Sequence, residues 1–332
     1  MGAGTRFKAD HRMVPGLGEP PAGPQRNPGS KSPLISSPSS SQSLTVGMTG
    51  ASGFIGSSLA AALTTVPGIR LIRFRRKDPS GLPAPAAFRE LVQESDVIYH
   101  LAGVNRGTVD EILSGNIQFT SNLAEAARKW GKSSLRIIFI SSMQVYRQPS
   151  HGKGLRESSP VEPSTIYGIA KHTAENLLRV SGRPLTILRA SNTYGPGCRP
   201  RYNSVIATWC EMAVQGRPLS VDGDGSQKRD FVYIDDVVGA LVLAGTRLQK
   251  QRLKVFNLGY GKAHSLKQVV AEINRVYPDV ELEFRNNADP GDADYFCDST
   301  RFRKQLDWKP QMTLKKGIPL TLKWFEERGK RA

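Results

Sequence analysis

Two residues suited to acid–base chemistry lie four positions apart, Tyr167 and Lys171. On a helix, residues at this spacing share one face. A neighbouring ammonium favours the phenolate, which would lower the tyrosine pKa from about 10 towards neutrality and make Tyr167 a general acid/base for a hydroxyl or carbonyl. Ser142, at the end of an apolar run, could donate a hydrogen bond to the oxygen on which charge develops. The alternatives are an exposed helical pair and a serine that caps a turn.

A glycine-rich segment, residues 50–56, lies between a predicted strand and a predicted helix. Glycine permits a tight turn there and lets the backbone approach a pyrophosphate at the start of the helix. This context predicts a dinucleotide site rather than a plain turn. The expected contacts are Gly50, Ser52, Gly53, Phe54, Ile55 and Gly56.

The end of the second predicted strand carries Phe74-Arg75-Arg76. Proteins that bind NAD place an acidic residue there to hold the ribose hydroxyls. A guanidinium instead suits the 2′-phosphate of NADP through charge-assisted hydrogen bonds. Arg75 therefore favours NADP(H), with NAD(H) as the alternative; the structural alternative is a solvated basic turn.

Short apolar runs alternate with helical patterns from residue 44 onwards. Strands are predicted at 44–48, 69–74, 96–101, 135–141 and 185–189, and helices at 55–64 and near 110–130. This alternation is typical of an α/β protein with a Rossmann-type, doubly wound parallel sheet. We expect the Rossmann domain at 44–196 plus part of 230–260. A smaller C-terminal α/β substrate-binding lobe is expected at 197–229 and 255–325.

Composition sets the broad class. The chain has 332 residues, a formal net charge of +17 and three cysteines without close spacing. The basic charge suits polyanionic small molecules such as nucleotides, and no long basic run points to nucleic acid. No apolar run approaches the ~20 residues of a membrane helix, and no secretory signal is expected. Residues 1–43, rich in Pro, Gly and Ser, are predicted to be a disordered tail.

Taken together, the motifs resemble the extended short-chain dehydrogenase/reductase family, in particular its nucleotide-sugar epimerases, dehydratases and reductases. The resemblance covers residues 44–325 and adds further segments to the Tyr167–Lys171 pair. These segments are 100–103, Asn116, 142–146, 188–196, 222–236, 298–301 and 306–310. The resemblance implies hydride transfer at carbon 4 of a nucleotide-linked hexose, in the synthesis of cell-surface polysaccharide precursors.

The resemblance also implies roles for single residues. Ser142, Tyr167 and Lys171 would be catalytic, with Tyr167 and Lys171 also contacting the cofactor. Leu101, Ala102 and Asn116 would line the cofactor site. The substrate contacts would be Asn192, Tyr202, Asn203, Arg229 and Asp292. No metal site is expected, because the five histidines show no metal-ligand spacing.

One subfamily is more similar still. Segments 100–106 and 198–208 look like those of capsular-polysaccharide reductases, which reduce a UDP-linked 4-keto sugar with NADPH and usually carry a cupin domain that this sequence lacks. The link 78–95 is too short for the family's usual third strand, and Met143 and Gln144 replace the acidic pair of the dehydratases. Asp289 stands where members often carry arginine.

Two alternative functions stay open at this point. One is a UDP-glucose 4-epimerase type of isomerase with tightly bound NAD, and the other is a dinucleotide-binding regulator without catalysis. In either case the expected partners are a nucleotide sugar and a second copy of the chain, in the cytoplasm, with no nucleic acid and no membrane insertion.

Overall fold

The computed structural model describes residues 43–76, 78, 81–148, 153–248, 252–285 and 294–330. The strands are β1 (Leu44–Thr49), β2 (Ile69–Arg73), β3 (Val97–His100), β4 (Arg136–Ser142), β5 (Lys153–Leu155), β6 (Leu185–Ala190), β7 (Asn192–Tyr194), β8 (Leu219–Asp222), β9 (Lys228–Tyr233), β10 (Leu253–Leu258), β11 (Ala263–Ser265), β12 (Leu282–Arg285) and β13 (Tyr295–Cys297). The predicted tail lies almost wholly outside the described residues.

The helices alternate with these strands. They are α1 (Phe54–Leu63), α2 (Arg89–Glu94), α3 (Val109–Leu113), α4 (Phe119–Trp130), α5 (Ile166–Val180), α6 (Val205–Val214), α7 (Ile234–Arg247), α8 (Leu266–Asn274), α9 (Thr300–Leu306) and α10 (Leu314–Gly329). A π-helical turn, Ser114–Gln118, joins α3 to α4, so the long helix predicted near 110–130 is confirmed but locally widened. Short 3₁₀ turns occupy Pro85–Phe88 and Met143–Val145.

The main sheet has six strands in the order β10-β6-β4-β3-β1-β2, and every neighbouring pair is parallel. Helices α1 and α7 bury their apolar sides against one face, and α2, α4 and α5 cover the other. Apolar strands enclosed by helices on both faces are the expected solution for a parallel sheet. The predicted Rossmann-type fold is confirmed.

The connection from β2 to β3 confirms the expected loss of a strand. It consists of the 3₁₀ turn and α2, and within the described residues β2 is an edge strand. Three rings pack under this connection, with Phe74 stacked on Phe88 at 4.4 Å and Phe119 edge-on to Phe88 at 5.2 Å. These aromatic contacts fill the space between β2 and α4 on that face of the sheet.

Smaller sheets lie beyond the carboxyl ends of the main strands. In the three-stranded sheet β9 pairs with both β7 and β11, and two further sheets pair β8 with β12 and β5 with β13. Helices α6, α8 and α10 share one core with β1, α1 and α7. Strand β10 belongs to the main sheet. It lies where the ranges predicted for the Rossmann domain and for the C-terminal lobe overlap. In the described ranges no helix is both long and apolar enough to span a membrane.

Candidate active site

The start of α5 is attached to the turn that follows β4. Thr165 caps the helix, because its Oγ1 accepts a hydrogen bond from Gly168 N at 3.0 Å. The same hydroxyl donates to Gln144 Oε1 at 3.0 Å. At Gly168, an added Cβ would lie 2.3 Å from the carbonyl oxygen of Gln144. Glycine directly after Tyr167 therefore lets α5 approach the end of β4.

Ser142 is the last residue of β4 and is buried. Its Oγ accepts a hydrogen bond from Gln144 N at 3.2 Å, so the capping role considered from the sequence is present. A hydroxyl that accepts in this way keeps its own hydrogen for donation. Capping therefore orients the Ser142 hydroxyl without using the hydrogen that a substrate oxygen would need.

Lys171 is buried one helical turn beyond Tyr167. Its Nζ lies over the ring of Phe139, 4.2 Å from the centroid. Burial lowers the pKa of Lys171 to about 7, an effect that the Glu175 carboxylate opposes. The ammonium is therefore stabilised only in part, and small changes in its surroundings would alter its protonation near neutral pH.

Tyr167 differs from expectation in the direction of its pKa. The phenol is half-buried, and desolvation together with the neighbouring Tyr202 raises its pKa above the usual value. The sequence had predicted a lowered value from the ammonium of Lys171. The direction is the opposite of the predicted one, because the loss of water around the phenol is the largest effect on its pKa.

Asn116 lies in the π-helical turn beneath this helix. Its Nδ2 donates to the carbonyl oxygens of Val104 and Ile112, both at 2.8 Å. Its Oδ1 is buried and has no hydrogen-bond partner among the described residues. A Cβ added at Gly103 would lie 2.6 Å from that Oδ1 and 3.8 Å from Lys171 Nζ. Asn116 and Lys171 thus converge under the loop that follows β3.

The glycine-rich loop fits a dinucleotide pyrophosphate. Gly50 has a φ of 72°, and a Cβ there would lie 2.5 Å from Ala102 N. At Gly56 a Cβ would lie 2.0 Å from the Gly50 oxygen. Gly53 precedes α1 without a side-chain cap, so the first-turn N–H groups of Phe54 and Ile55 remain for an anion. Side chains at Gly50 and Gly56 would collide with neighbouring backbone, so glycine at these positions keeps the turn tight.

The remaining cofactor candidates surround that loop. Leu101 N donates to Thr49 O at 3.3 Å, and Ala102 N donates to Thr49 Oγ1 at 3.4 Å, which places the loop after β3 against the glycine turn. Arg75 is exposed just beyond the carboxyl end of β2. Arg76 instead lies over the ring of Phe119, 5.3 Å from its centroid.

Two of the five expected substrate residues lie on separate strands. Asn192 begins β7, and its Nδ2 donates to Asp230 O at 3.1 Å. Arg229 on β9 lies over the ring of Tyr295, 5.5 Å from the centroid. Asp292 and Asp289 fall outside the described residues.

The other two expected substrate residues share the loop before α6. Tyr202 is tied to the loop after β3, because its hydroxyl accepts from Asn105 N at 3.1 Å and its carbonyl accepts from Asn105 Nδ2 at 2.7 Å. Asn203 Oδ1 accepts from Arg199 N at 3.1 Å and closes the loop on itself. The loop before α6 is therefore held over the same end of the sheet as Tyr167.

Sequence reasoning missed a buried ion pair behind the site. Arg189 on β6 donates to both carboxylate oxygens of Glu175, at 2.9 and 2.6 Å. Ser141 Oγ donates to the same carboxylate at 2.6 Å. The spacing of Glu175, four residues after Lys171, was the available signal. The local sequence around Glu175 could not predict the role of Arg189, because Arg189 lies on β6 and Glu175 lies on α5.

Comparison with known proteins places these observations in context. The profile of the NAD dependent epimerase/dehydratase family matches residues 46–259. A UDP-2-acetamido-2,6-beta-L-arabino-hexul-4-ose reductase of Pseudomonas aeruginosa is 36% identical over 197 residues, which cover 58% of this chain and 46% of the reductase. The chain therefore spans less than half the length of that relative.

Two further relatives match along most of their length. A UDP-N-acetyl-alpha-D-glucosaminuronate decarboxylase of Bacillus cytotoxicus is 28% identical over 330 residues, covering 84% of this chain and 97% of the decarboxylase. The crystal structure of a UDP-glucuronic acid 4-epimerase from Bacillus cereus, in complex with UDP-glucuronic acid and NAD, superposes with a TM-score of 0.75 at 25% identity. That likeness covers 86% of this chain and all of the epimerase.

Proposed function

Since this chain belongs to the NAD-dependent epimerase/dehydratase family, we propose that it transfers hydride at carbon 4 of a nucleotide-linked, UDP-type hexose. The observation that carries the proposal is the attachment of α5 to the end of β4, which brings Tyr167 and Lys171 to the strand end that holds Ser142. The three relatives described above all act on UDP sugars according to their names. The product would serve as a precursor of cell-surface polysaccharide.

In this mechanism, a bound nicotinamide dinucleotide supplies or accepts the hydride at carbon 4. The glycine loop and the start of α1 hold its pyrophosphate, and Leu101, Ala102 and Asn116 line its path. Tyr167 Oη gives a proton to the carbon-4 oxygen or takes one from it. Ser142 donates a hydrogen bond to the same oxygen, which stabilises its developing charge.

Lys171 contributes through its charge. As an ammonium it favours the phenolate of Tyr167 and can donate hydrogen bonds to the ribose hydroxyls of the dinucleotide. Asn192, Tyr202, Asn203 and Arg229 are the proposed contacts to the sugar nucleotide, with Asp292 outside the described residues. Two hydrogen bonds from Asn105 hold the Tyr202 loop against the loop after β3, which supports a contact of Tyr202 with the sugar.

Reduction of a 4-keto sugar is favoured over dehydration. The sugar-nucleotide dehydratases carry an acidic pair where this chain has Met143 and Gln144. Met143 is buried, and Gln144 Oε1 already accepts a hydrogen bond from Thr165. The relative at 36% identity is a 4-ulose reductase by name. NADP(H) is the proposed cofactor because of Arg75, with NAD(H) as the alternative.

Epimerisation is the second candidate, and the likeness to a UDP-sugar 4-epimerase with bound NAD favours it. Both reactions use the same residues around carbon 4. They differ in whether the oxidised dinucleotide leaves or returns its hydride to the other face of the keto sugar.

A panel of UDP-, dTDP- and GDP-linked sugars and 4-keto sugars, analysed by mass spectrometry while NADPH absorbance is followed, tests the proposal. A reductase consumes one NADPH for each product formed. An epimerase forms an isomer without net consumption of dinucleotide. Failure to convert any sugar despite dinucleotide binding would contradict the proposal and favour the regulator.

We also propose that the chain forms a homodimer in the cytoplasm. Ile166, Ile169 and Val180 are exposed apolar residues of α5, and at about 100° per residue they fall within an arc of about 60°. Val109 on the adjoining α3 is exposed as well. An apolar surface of this kind supports association with a second copy.

A further inference from the structure

The structure holds a negative charge at a fixed point on the same helix as Lys171. Glu175 follows Lys171 by four residues on α5, and its side chain is completely buried. Three hydrogen bonds from Ser141 and Arg189, between 2.6 and 2.9 Å, fix the carboxylate. Residues four apart on a helix lie on one face, with Cβ atoms about 5–6 Å apart. Glu175 therefore lies within the range at which a charge acts strongly on Lys171.

Strand β4 supports both side chains from the same face. Phe139 and Ser141 are two residues apart on β4, so their side chains point to one side of the sheet. Phe139 lies under the ammonium of Lys171, and Ser141 donates to Glu175. The contact that the sheet makes with Lys171 is therefore an aromatic ring, which replaces little of the hydration that the ammonium loses on burial. The Glu175 carboxylate is left to compensate the positive charge.

The other titratable groups around Lys171 do not supply this compensation. His100 on β3 is hydrogen-bonded through both ring nitrogens, to Thr49 and Thr120, and burial lowers its pKa to about 3. Tyr167, on the same helix, has a raised pKa and is a neutral phenol at neutral pH. Arg189 on β6 and Arg179 on α5 are cations, and both are paired with Glu175, at 2.6 and 3.9 Å. Among the described residues, Glu175 is the group whose charge favours the ammonium.

We propose that Glu175 is a positioning residue that keeps Lys171 protonated at neutral pH, and that Arg189 holds the Glu175 carboxylate in place and ionised. The functional meaning rests on the proposed function, in which Lys171 acts as an ammonium beside Tyr167. The charge relation itself concerns only the folded protein. It predicts that loss of the carboxylate charge moves the titration of Lys171, whereas a purely structural ion pair would affect stability alone.

The test measures the titration of Lys171 directly. The full chain is prepared with lysine labelled with ¹³C at Cε, and the Lys171 signal is assigned by its loss in Lys171→Met. In Glu175→Gln the midpoint of this titration should fall by about one pH unit or more, the size expected for loss of a close opposite charge. Ser141→Ala, which removes a hydrogen bond to Glu175 but no charge, is the matched control and should leave the midpoint nearly unchanged.

The same variants can be compared in turnover. The pH at which activity falls on the alkaline side should shift downwards in Glu175→Gln. An unchanged Lys171 midpoint in folded Glu175→Gln overturns the inference. If Glu175→Gln does not fold, the double variant Glu175→Gln/Arg189→Gln replaces it, because this variant removes both charges and keeps two amides able to pair. A Lys171 midpoint at or above that of the wild type in the double variant also overturns the inference.

The two proposals fail in distinguishable ways. If no sugar is converted but the Lys171 midpoint moves as described, the proposed function is wrong and the charge relation stands. If sugars are converted and the midpoint does not move, the function stands and the role of Glu175 is wrong.

Discussion

At the residue scale, the chemistry depends on groups whose protonation is set by burial. Tyr167 is half-buried with a raised pKa, and Lys171 is buried with a pKa lowered to about 7. Each group alone is poorly suited to its proposed role. The phenol would become a useful acid/base only with a charged lysine beside it, so the proposed mechanism requires the two residues together.

Replacing Tyr167 with phenylalanine should reduce turnover by about two to four orders of magnitude, the usual contribution of a positioned acid/base. The variant keeps the ring and removes only the hydroxyl, so binding of the dinucleotide should change little. Steady-state kinetics and fluorescence titration of NADPH measure the two effects. Turnover close to that of the wild type would show that another group moves the proton.

The cofactor preference is expected to depend on Arg75, which is exposed beyond the end of β2. A guanidinium can pair with a 2′-phosphate through hydrogen bonds of about 1.5–3 kcal/mol, roughly ten- to a hundredfold in affinity. NADPH should therefore bind more tightly than NADH, and Arg75→Asp should reverse the order. Fluorescence titration at fixed low salt measures both affinities.

Arg76→Asp is the matched control for that experiment. It makes the same change of charge one residue later, where the guanidinium lies over Phe119. Its order of affinities should stay as in the wild type. If Arg76→Asp alone reverses the order of the two affinities, Arg75 does not set the cofactor preference. Equal affinities for NADPH and NADH in the unaltered protein would also contradict a role for Arg75.

His100 should make folding sensitive to acid. Its pKa is lowered to about 3 by burial, whereas the unfolded chain has an ordinary histidine near 6.5. The unfolded state therefore binds the proton first, and stability falls as the pH drops from 6.5 towards 3, by about 1.4 kcal/mol per unit. Asp230, with a pKa raised to about 6, acts in the opposite direction.

The comparison of wild type with His100→Asn separates these two contributions, because Asp230 is common to both proteins. Urea unfolding at pH 7 and pH 5 should show a loss in the wild type that exceeds the loss in the variant by about 1–2 kcal/mol. Equal losses in the two proteins would mean that His100 does not remain neutral when folded.

At the element scale, the position of α5 is set by close backbone contact rather than by its own helix propensity. The carbonyl oxygen of Gln144 lies where a side chain at Gly168 would begin. Thr165 and Gln144 then fix the first turn through side-chain hydrogen bonds. The two ends of the proposed catalytic set, Ser142 and Tyr167, are therefore coupled through a single short turn.

Gly168→Ala should test that coupling. The added methyl group must displace either α5 or the turn after β4, and we expect a loss of about 1–3 kcal/mol together with reduced turnover. Gly239→Ala is the control, because Gly239 also lies within a helix but meets open space. That change should be neutral or stabilise by up to about 1 kcal/mol. Equal stability of the two variants in urea unfolding would show that the contact at Gln144 is not tight.

At the scale of the whole molecule, the exposed apolar residues of α3 and α5 form the surface that we propose for association with a second copy. Ile169→Glu should convert the proposed dimer to a monomer, because a carboxylate buried at the centre of an interface is costly. Val276→Glu is the control, with the same 42% exposure as Ile169 but on another part of the surface. Sedimentation velocity distinguishes the two, and a monomeric wild type at micromolar concentration would contradict the proposal.

Local spacing in the sequence was enough to predict the parallel sheet, the glycine turn and the shared helix face of Tyr167 and Lys171. These features depend on residues close together in the chain, where periodicity and backbone geometry decide the outcome. The missing third strand was visible for the same reason, since only a short link separates β2 from β3. The roles of the predicted site residues remain predictions.

Only the tertiary structure decided how the charges behave. The pKa of Tyr167 rises rather than falls, and Lys171 becomes marginally charged, because burial depends on Phe139, Tyr202 and other residues distant in sequence. Arg189 reaches Glu175 from another strand, a contact that no helical spacing contains. Desolvation and long-range pairing arise from packing, so they are decided when the elements meet and not along the chain.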